Sequence, residues 1–300
     1  MYVSVRECML PGVFGSIKAG LDAMGLDSVE LEYSRDRSVF SLDSTSSEKE
    51  SLAGDAAINA FGAKCSRLKC GISGLLLHNN FGAEDLEAEL DWVICCLKAA
   101  DRLGAKAVRI DAIMSADDQS LESRAQHFAD CMAKVLDATS DLDVEMGVEN
   151  HGRLGNEPEF LDLLFRKADS PRLGVTLDTA NLYWYGHPLS KVHQIIEHFA
   201  PKVKHTHIKN INFPQNKREI RREIGWEYGK YASSLREGDI DMNYVVKVLR
   251  DAGYSGALCV EDESLGRRSE QEGREVMVDD ARFLRELLQR QQDDYSASAR

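Results

Sequence analysis

The strongest constraint in this sequence is an alternation of short apolar runs with helical patterns, which repeats along the whole chain. Eight apolar runs are typical of strands, and each is followed by a segment whose apolar residues recur at helical spacing. The predicted strands cover residues 3–9, 28–33, 72–78, 107–111, 144–149, 173–178, 203–209 and 257–261. The predicted helices cover residues 16–24, 48–68, 86–103, 123–139, 157–167, 188–199, 244–252 and 276–290. This alternation indicates βα units and a parallel sheet.

Eight βα units within about 290 residues fit a closed (β/α)8 barrel, a TIM barrel of the α/β class, better than an open sheet. No predicted strand is followed by the Gly-x-Gly-x-x-Gly signature of a dinucleotide-binding open sheet. We therefore predict one barrel domain over residues 1–290 and a polar C-terminal tail over residues 291–300.

Composition favours a soluble globular protein and argues against some partners. Lysine and arginine number 37 against 50 aspartates and glutamates, so the net charge is −13, and 43% of the residues are hydrophobic. An acidic surface disfavours a nucleic-acid partner. No apolar run is long enough to span a bilayer, the N-terminus lacks the layout of a secretory signal, and the seven cysteines include no CxxC pair. We expect no membrane partner and a cytoplasmic protein with reduced thiols.

Strand parity selects a set of inward-facing side chains at one end of the predicted barrel. Along each strand one side faces the barrel interior and the other packs on helices. On the fifth to eighth strands the apolar residues take the outer side, so an acid or a histidine faces inward at each C-terminal end. These residues are Glu149, Asp178, His207 and Glu261. Active sites of such barrels lie at the C-terminal ends of the strands.

Three carboxylates that converge without a cation would repel one another and raise their pKa values, and a divalent ion relieves that repulsion. Three oxygens and one imidazole nitrogen suit Mn²⁺, Mg²⁺ or Co²⁺, and Zn²⁺ is also compatible. Taken alone, each residue could instead be a solvated strand-end acid or a structural histidine. Agreement of residue type, parity and position on four strands favours one divalent metal ion.

The segments around these four residues resemble the xylose isomerase-like TIM-barrel superfamily, which includes the sugar phosphate isomerases and epimerases. The segments are residues 147–152, 174–181, 204–210, 237–241 and 253–261. The resemblance implies that Glu149, Asp178, His207 and Glu261 bind a metal ion. It also implies that Glu149 and Glu261 are the catalytic pair that transfers protons.

Two positions depart from the pattern of many epimerases in this superfamily. Asn181 stands three residues after the metal aspartate, where many epimerases have a histidine. Lys209 and Asn210 follow the histidine strand, where some epimerases have an arginine. The resemblance therefore identifies the superfamily more closely than the substrate.

One metal-centred site of this kind can serve three reactions. A metal that binds a carbonyl and a neighbouring hydroxyl polarises the C=O bond and stabilises an enediolate. Return of the proton to the adjacent carbon gives an isomerase, return from the opposite face gives an epimerase, and loss of a β-hydroxyl gives a dehydratase.

We predict a metal-dependent sugar, or sugar phosphate, isomerase or epimerase that acts through an enediolate. One alternative is a metal-dependent dehydratase of a cyclic polyol ketone such as an inosose or dehydroshikimate. Another is a non-catalytic sugar-binding barrel. An endonuclease of this fold would carry more metal ligands and a basic face, which the net charge of −13 disfavours.

Six residues are predicted to contact a small sugar substrate. They are Glu32, Arg109, His151, Asn181, Trp184 and Lys209. Arg109 could instead pair with Asp111 or Glu145, and Trp184 could cap the barrel rim or pack against a second subunit. His205, one inward step below His207, is predicted to be buried and structural. A homo-oligomer, dimer or tetramer, stays open.

The segment after the seventh strand is unusually long and basic. Residues 201–240 contain nine basic and five acidic side chains. Long loops in compact domains are usually lids or interfaces. We predict a lid over residues 212–238 in which Trp226, Tyr228 and Arg221 or Arg222 cover the pocket and attract an anionic substrate. The alternative is a solvated helix with ion pairs between residues four apart.

Overall fold

Parallel strands close into a barrel, and each strand is followed by a helix on the outside. The computed structural model describes residues 1–45, 47–114 and 119–298, with side chains up to residue 293. Within these residues the barrel strands are β1 (Tyr2–Arg6), β2 (Ser28–Glu32), β3 (Gly71–Leu76), β4 (Ala107–Ile110), β5 (Glu145–Glu149), β6 (Leu173–Asp178), β7 (Val203–Ile208) and β8 (Ala257–Val260). The helices that follow them are α1 (Ile17–Met24), α2 (Asp55–Leu68), α3 (Leu86–Leu103), α4 (Leu121–Ala138), α5 (Pro158–Ala168), α6 (Leu189–Phe199), α7 (Met242–Asp251) and α8 (Glu270–Ser298).

The barrel closes because β1 pairs in parallel with both β8 and β2. The apolar side chains that parity assigned to the outer side, such as Val148, Val175 and Ile208, are buried in the hydrophobic core. The single (β/α)8 barrel predicted from the sequence is confirmed. None of the helices in the described part of the chain has the length and apolar character that crossing a bilayer requires.

The helix predicted over residues 48–68 is wrong at its start. Ser38–Phe40 and Lys49–Ser51 form an antiparallel hairpin, and α2 begins only at Asp55. Gly54, which precedes α2, has a φ of 87°, a left-handed conformation in which a helix cannot continue. The hairpin depends on pairing between two short segments, which helical periodicity in either one could not reveal.

The last helix is longer than predicted, because α8 spans Glu270–Ser298 instead of residues 276–290. Its end is held to α7: the Gln291 side chain donates to the Asn243 carbonyl at 2.9 Å, and Arg250 donates to the Gln291 carbonyl at 2.8 Å. Residues 291–298 therefore continue the helix. The domain boundary placed there stays a prediction.

Residues 212–238 form an ordered segment instead of the single solvated helix offered as an alternative. It contains the short helices Gln215–Arg218 and Tyr228–Tyr231, and Asn210–Ile211 pairs with Ala232–Ser233. The rings of Phe213, Trp226 and Tyr231 pack together with centroids 5.6–5.7 Å apart.

Arg222 fastens this segment to the barrel. Its side chain is buried, stacks on Tyr183 and donates to the carbonyl oxygens of Tyr183 at 3.0 Å and His187 at 2.8 Å. The expectation that Arg222 attracts substrate is therefore corrected, because its guanidinium is directed at backbone carbonyls.

Candidate metal centre

The four residues selected by strand parity lie together at the carboxyl ends of β5 to β8. Glu149 and Asp178 are the last residues of β5 and β6, His207 lies in β7, and Glu261 directly follows β8. One ligand atom from each residue lies within 4.8 Å of those of the other three. All four side chains are buried. We call these four residues the quartet; their role as metal ligands stays a prediction.

Asn150 ties the ends of β5 and β6 together. Its side-chain amide donates to the Asp178 carbonyl at 2.8 Å and accepts from the Asp178 N–H at 2.7 Å. Asp178 Oδ1 accepts from the backbone N–H groups of Ala180 and Asn181, both at 2.9 Å. The Asn181 side chain donates to Glu149 Oε1 at 3.2 Å. Asn181, a predicted substrate contact, therefore bridges two members of the quartet.

A buried carboxylate fixes the orientation of the His207 ring. Nε2 of His207 lies 2.7 Å from Glu30 Oε2, whereas Nδ1 lies 3.1 Å from Glu149 Oε1 and 3.3 Å from Glu261 Oε2. His205 Nε2 lies 3.0 Å from the other oxygen of Glu30, and His205 is buried, as predicted. Because Nε2 is committed to Glu30, Nδ1 is the ring nitrogen that the quartet can use.

Two basic side chains contact different members of the quartet. Arg109 Nε donates to Glu149 Oε2 at 2.5 Å and Arg109 Nη1 donates to Asp111 Oδ2 at 2.8 Å, so the ion pair with Asp111 offered as an alternative is present. Arg6 pairs with Glu261 Oε1. Arg109 is only 3% exposed, and contact between it and substrate stays a prediction.

Lys209, the third cation, is buried among carboxylates. Its Nζ lies 2.9 Å from Asp178 Oδ2, 2.9 Å from Glu261 Oε2 and 2.8 Å from Glu263 Oε1. Burial favours the neutral amine, but Asp178 and Glu261 outweigh it and raise the pKa of Lys209 well above its ordinary value. Lys209, which is predicted to contact substrate, is therefore a charged ammonium group that lies against Asp178 and Glu261 of the quartet.

The three carboxyl groups of the quartet differ in acidity. Burial raises the pKa of Asp178 to about 7; Lys209 opposes this shift, and the neighbouring carboxylates add to it. Burial is outweighed at Glu149, where Arg109 and then His207 hold the pKa well below its ordinary value. At Glu261, Lys209 and His207 outweigh burial and lower the pKa to about 2. Asp178 is therefore the carboxyl group of the quartet whose ionisation the converging negative charges oppose most.

The quartet fits a divalent cation. Asp178 Oδ2 and Glu261 Oε2 are buried and accept no hydrogen bond, although the Lys209 ammonium lies 2.9 Å from each. These oxygens keep lone pairs for a further cation. Three carboxylate oxygens and one imidazole nitrogen within 4.8 Å match the donors that such ions take.

Among the described residues, two other clusters of acids and histidines also have ligand atoms within 4.8 Å of one another. Glu30, His205 and His207 are committed to one another, and Arg109 bridges the second group, which consists of Asp111, Glu149 and His151. The quartet is therefore the better candidate for a metal ion.

Next to Glu149, a polar cluster continues toward β2 and β3. The two oxygens of buried Asp111 lie 2.9 Å from Nδ1 of His78 and 2.9 Å from Nδ1 of His151. Both imidazole side chains are 44% exposed, and Glu32 Oε2 lies 3.8 Å from His78 Nε2. The carboxylates of Asp111, at hydrogen-bond distance, and then of Glu32 raise the pKa of His78 to about 9. We call Asp111, His78 and His151 the Asp111 arm.

Comparison with known sequences assigns the family. The sequence profile described as xylose isomerase-like TIM barrel matches residues 20–287. The chain belongs to this family. The uncharacterized protein MJ1311 of Methanocaldococcus jannaschii is 23% identical over 138 residues, a match that covers 45% of this chain and only 42% of that relative.

Solved structures with the same fold include several enzymes. L-ribulose 3-epimerase superposes with a TM-score of 0.70 at 14% identity, covering 100% of this chain and 99% of that one. The IOLI protein with a bound zinc atom gives 0.67 at 14% identity, covering 93% and 96%. The probable 3-DHS dehydratase AsbF of Bacillus anthracis gives 0.65 at 13% identity, covering 95% and 98%. At these identities the similarity concerns the fold.

In this xylose isomerase-like barrel, the long segment 212–238 is connected to the quartet indirectly, by contacts that run from Tyr228 through Glu263 to Lys209. Tyr228 donates to Glu263 Oε2 at 2.5 Å, and Glu263 in turn pairs with Lys209. Arg221 instead lies over the Tyr185 ring and contacts His187 Nδ1 at 3.0 Å. Of the side chains predicted to cover the pocket, Tyr228 is the one joined to the quartet by hydrogen bond and ion pair.

Trp184 lies at the side of this segment. It ends the short helix Asn181–Trp184 and is half-buried, and its carbonyl accepts from the Gly225 N–H at 2.9 Å. Contact of Trp184 with substrate stays a prediction, as do the two alternatives, capping of the barrel rim and packing against a second subunit.

Several residues that contact the quartet or Lys209, or that belong to the Asp111 arm, were not selected from the sequence. They are Arg6, Glu30, His78 and Glu263. Arg6 is the last residue of β1, and Glu30 shares the inward parity of Glu32 on β2. A polar residue at or near the end of every barrel strand is thus the signal that would have found most of them.

Proposed function

We propose that this xylose isomerase-like barrel is a metal-dependent enzyme that moves the proton on the carbon beside a sugar carbonyl, and so acts as a sugar isomerase or epimerase. The observation that carries this proposal is the quartet, in which three buried carboxylates and one imidazole converge within 4.8 Å at the carboxyl ends of the strands. The fold shared with L-ribulose 3-epimerase supports it.

The quartet would hold one divalent ion, Mn²⁺, Mg²⁺ or Co²⁺, with Zn²⁺ also compatible. When bound, the ion would polarise the substrate carbonyl and make the neighbouring C–H more acidic. The zinc atom in the IOLI protein, which shares this fold, supports a divalent ion.

Glu149 and Glu261 are the proposed proton-transfer pair. Arg109 holds one oxygen of Glu149 and Arg6 holds one oxygen of Glu261, which leaves the other oxygen of each near His207. The low pKa of each leaves either residue ionised at neutral pH and able to accept the substrate proton, and in an epimerisation the other must first take up the proton that it returns to the opposite face. Glu149 ends β5 and Glu261 follows β8, three positions away in the barrel order, so the two side chains enter the site from different sides.

Lys209 would stabilise the oxygen on which negative charge develops. Its ammonium lies within 2.9 Å of oxygens of Asp178 and Glu261, so it is already desolvated and oriented in the site. Such preorganised charge lowers the energy of an oxyanion more than a solvated lysine would.

The second candidate is a metal-dependent dehydratase of a cyclic polyol ketone. The placement of Lys209 also favours this reaction, because an ammonium beside the proposed base could protonate a leaving hydroxyl. The fold is shared with the probable 3-DHS dehydratase AsbF.

Solvent exchange separates these candidates. We expect the metal-loaded protein to place deuterium on the carbon beside the carbonyl of a ketose in D₂O, followed by NMR. Glu149→Gln and Glu261→Gln should each slow this exchange at least about 100-fold, the usual contribution of a positioned acid or base. Glu145→Gln, at the opposite end of β5, is the matched control.

An ultraviolet-absorbing enone formed from a cyclic polyol ketone, without ketose exchange, would favour the dehydratase. A barrel that binds sugars but catalyses neither exchange nor elimination would contradict the proposal.

A further inference from the structure

The Asp111 arm is a polar surface beside the quartet that the proposed proton transfer does not use. One buried carboxylate holds both imidazoles, and it is itself fixed, because the Asp111 N–H donates to Asn79 Oδ1 at 2.8 Å and Arg109 donates to its Oδ2 at 2.8 Å. The His78 and His151 rings therefore sit on a rigid base.

The geometry leaves the same atom of each ring for a ligand. Nδ1 of each ring is engaged with Asp111 at 2.9 Å, so Nε2 is the atom that a bound molecule can use. His78 Nε2 lies 3.8 Å from Glu32 Oε2, beyond the range of a normal hydrogen bond. The arm also adjoins the quartet, since ligand atoms of Asp111, His151 and Glu149 lie within 4.8 Å of one another.

The arm carries no excess of positive charge. The carboxylates that face it belong to Glu32, Asp111 and Glu149. Against these three negative charges stand the Arg109 guanidinium and the two imidazoles, which reach three positive charges only if both are protonated. Two further cations line the cavity beside His78, but each has its own partners: Arg35 pairs with Glu89, and Lys49 donates to Ser34 and faces Asp36. A phosphate or carboxylate group would thus gain little from this surface, whatever the state of the rings.

The basic segment 212–238 does not supply the missing cations. Arg218 pairs with Asp239 at 2.9 Å, and Arg222 is directed at backbone carbonyls. Arg221 contacts His187 and the Tyr185 ring. These arginines have partners within the segment and its neighbours instead of in the quartet or the arm.

A hydroxyl group is the ligand that suits this surface, because it both donates and accepts hydrogen bonds. It can donate to a neutral imidazole or accept from a protonated one, and it can donate to Glu32. We infer that the Asp111 arm is a binding subsite for two hydroxyl groups of an unphosphorylated polyol ketone. The inference rests on the proposed function and names the class of its substrate.

The test compares a long and a short ketose. The ratio of kcat/KM for proton exchange of D-fructose to that of dihydroxyacetone, which lacks the distal hydroxyls, is measured for the metal-loaded protein. We expect His78→Ala to lower this ratio about tenfold, the effect of one lost hydrogen bond to substrate. His198→Ala, which removes an imidazole paired with Asp162 on the outside of the barrel, should leave the ratio unchanged.

An unchanged ratio in His78→Ala would overturn the inference. So would a wild-type preference for D-fructose 6-phosphate over D-fructose that disappears in His78→Ala, because the arm would then bind an anion. If the wild type exchanges no ketose, the proposed function fails instead. Calorimetry still tests the arm in that case: sorbitol should bind more tightly than glycerol, and His78→Ala should remove most of the difference.

Discussion

The His207 ring is held from two sides, with Glu30 on Nε2 and the carboxylates of Glu149 and Glu261 near Nδ1. Carboxylates that orient a ligand histidine typically change metal affinity 10–100-fold when mutated. We therefore expect Glu30→Gln, which keeps the size of the side chain, to weaken Mn²⁺ binding by about that factor in calorimetry. Glu145→Gln is the control, and equal affinity in the two variants would show that Glu30 does not orient the ligand.

The acidity of the quartet predicts a pH dependence for metal binding. The pKa of Asp178 is raised to about 7, and the pKa of His207 is raised well above its ordinary value, since the charges of Glu30, Glu261 and Glu149 outweigh its burial. Both residues hold protons below pH 7 that a cation must displace. Mn²⁺ affinity should therefore fall at least about tenfold per pH unit below 7, with proton release detected in calorimetry. Constant affinity from pH 6 to pH 8 would contradict this.

The sequence predicted the positions of the quartet because parity within a single strand decides which side chains face inward. It did not predict the partners of the quartet in the same way. Glu30 meets His207 across the barrel interior, and His78 meets His151 only through Asp111. These contacts depend on the relative placement of strands that are distant in the chain.

At the scale of elements, segment 212–238 depends on close packing against residues 183–187. Gly186 has a φ of 101°, and a Cβ there would lie 2.2 Å from the Arg222 carbonyl oxygen. Only glycine permits this approach without displacement of the segment. The contact between the two segments thus depends on Gly186 in residues 183–187 and on the buried Arg222 in segment 212–238.

We expect Arg222→Ala to lower the free energy of unfolding by about 2 kcal/mol, because it removes charged hydrogen bonds and leaves buried carbonyls without donors. Urea denaturation measures this loss, and faster trypsin cleavage within residues 212–238 should accompany it. Arg221→Ala is the matched control, since Arg221 is exposed. If the two variants lose equal stability, Arg222 does not fasten the segment.

The bounds of helices and strands were predicted well where the apolar periodicity within a single element decides which of its residues are buried. α3 and β6 have the predicted bounds, Leu86–Leu103 and Leu173–Asp178. Prediction failed where tertiary contacts decide the structure: the hairpin before α2 forms by pairing of short segments, and α8 is extended by contacts of Gln291 with α7.

At the scale of the molecule, part of the net charge of −13 is concentrated at the barrel mouth, where a cation would offset it. An ion that binds only the folded state stabilises it, by about 2.7 kcal/mol at 100 times its Kd. Excess Mn²⁺ should thus raise Tm in calorimetry.

Asp178→Asn should abolish the rise in Tm with Mn²⁺. At pH 8 the metal-free variant should be at least as stable as the wild type, because the raised pKa of Asp178 means that its charge is unfavourable in the folded state above pH 7. A Tm that rises equally with Mn²⁺ in both proteins would place the ion elsewhere.

The central claim is that Glu149, Asp178, His207 and Glu261 hold one divalent ion. Crystals grown with Mn²⁺ and recorded at a wavelength where manganese scatters anomalously test it most directly. We predict one anomalous peak among these four side chains. A peak at Glu30, His205 and His207, a peak at Asp111, Glu149 and His151, or no peak at saturating Mn²⁺ would contradict the claim.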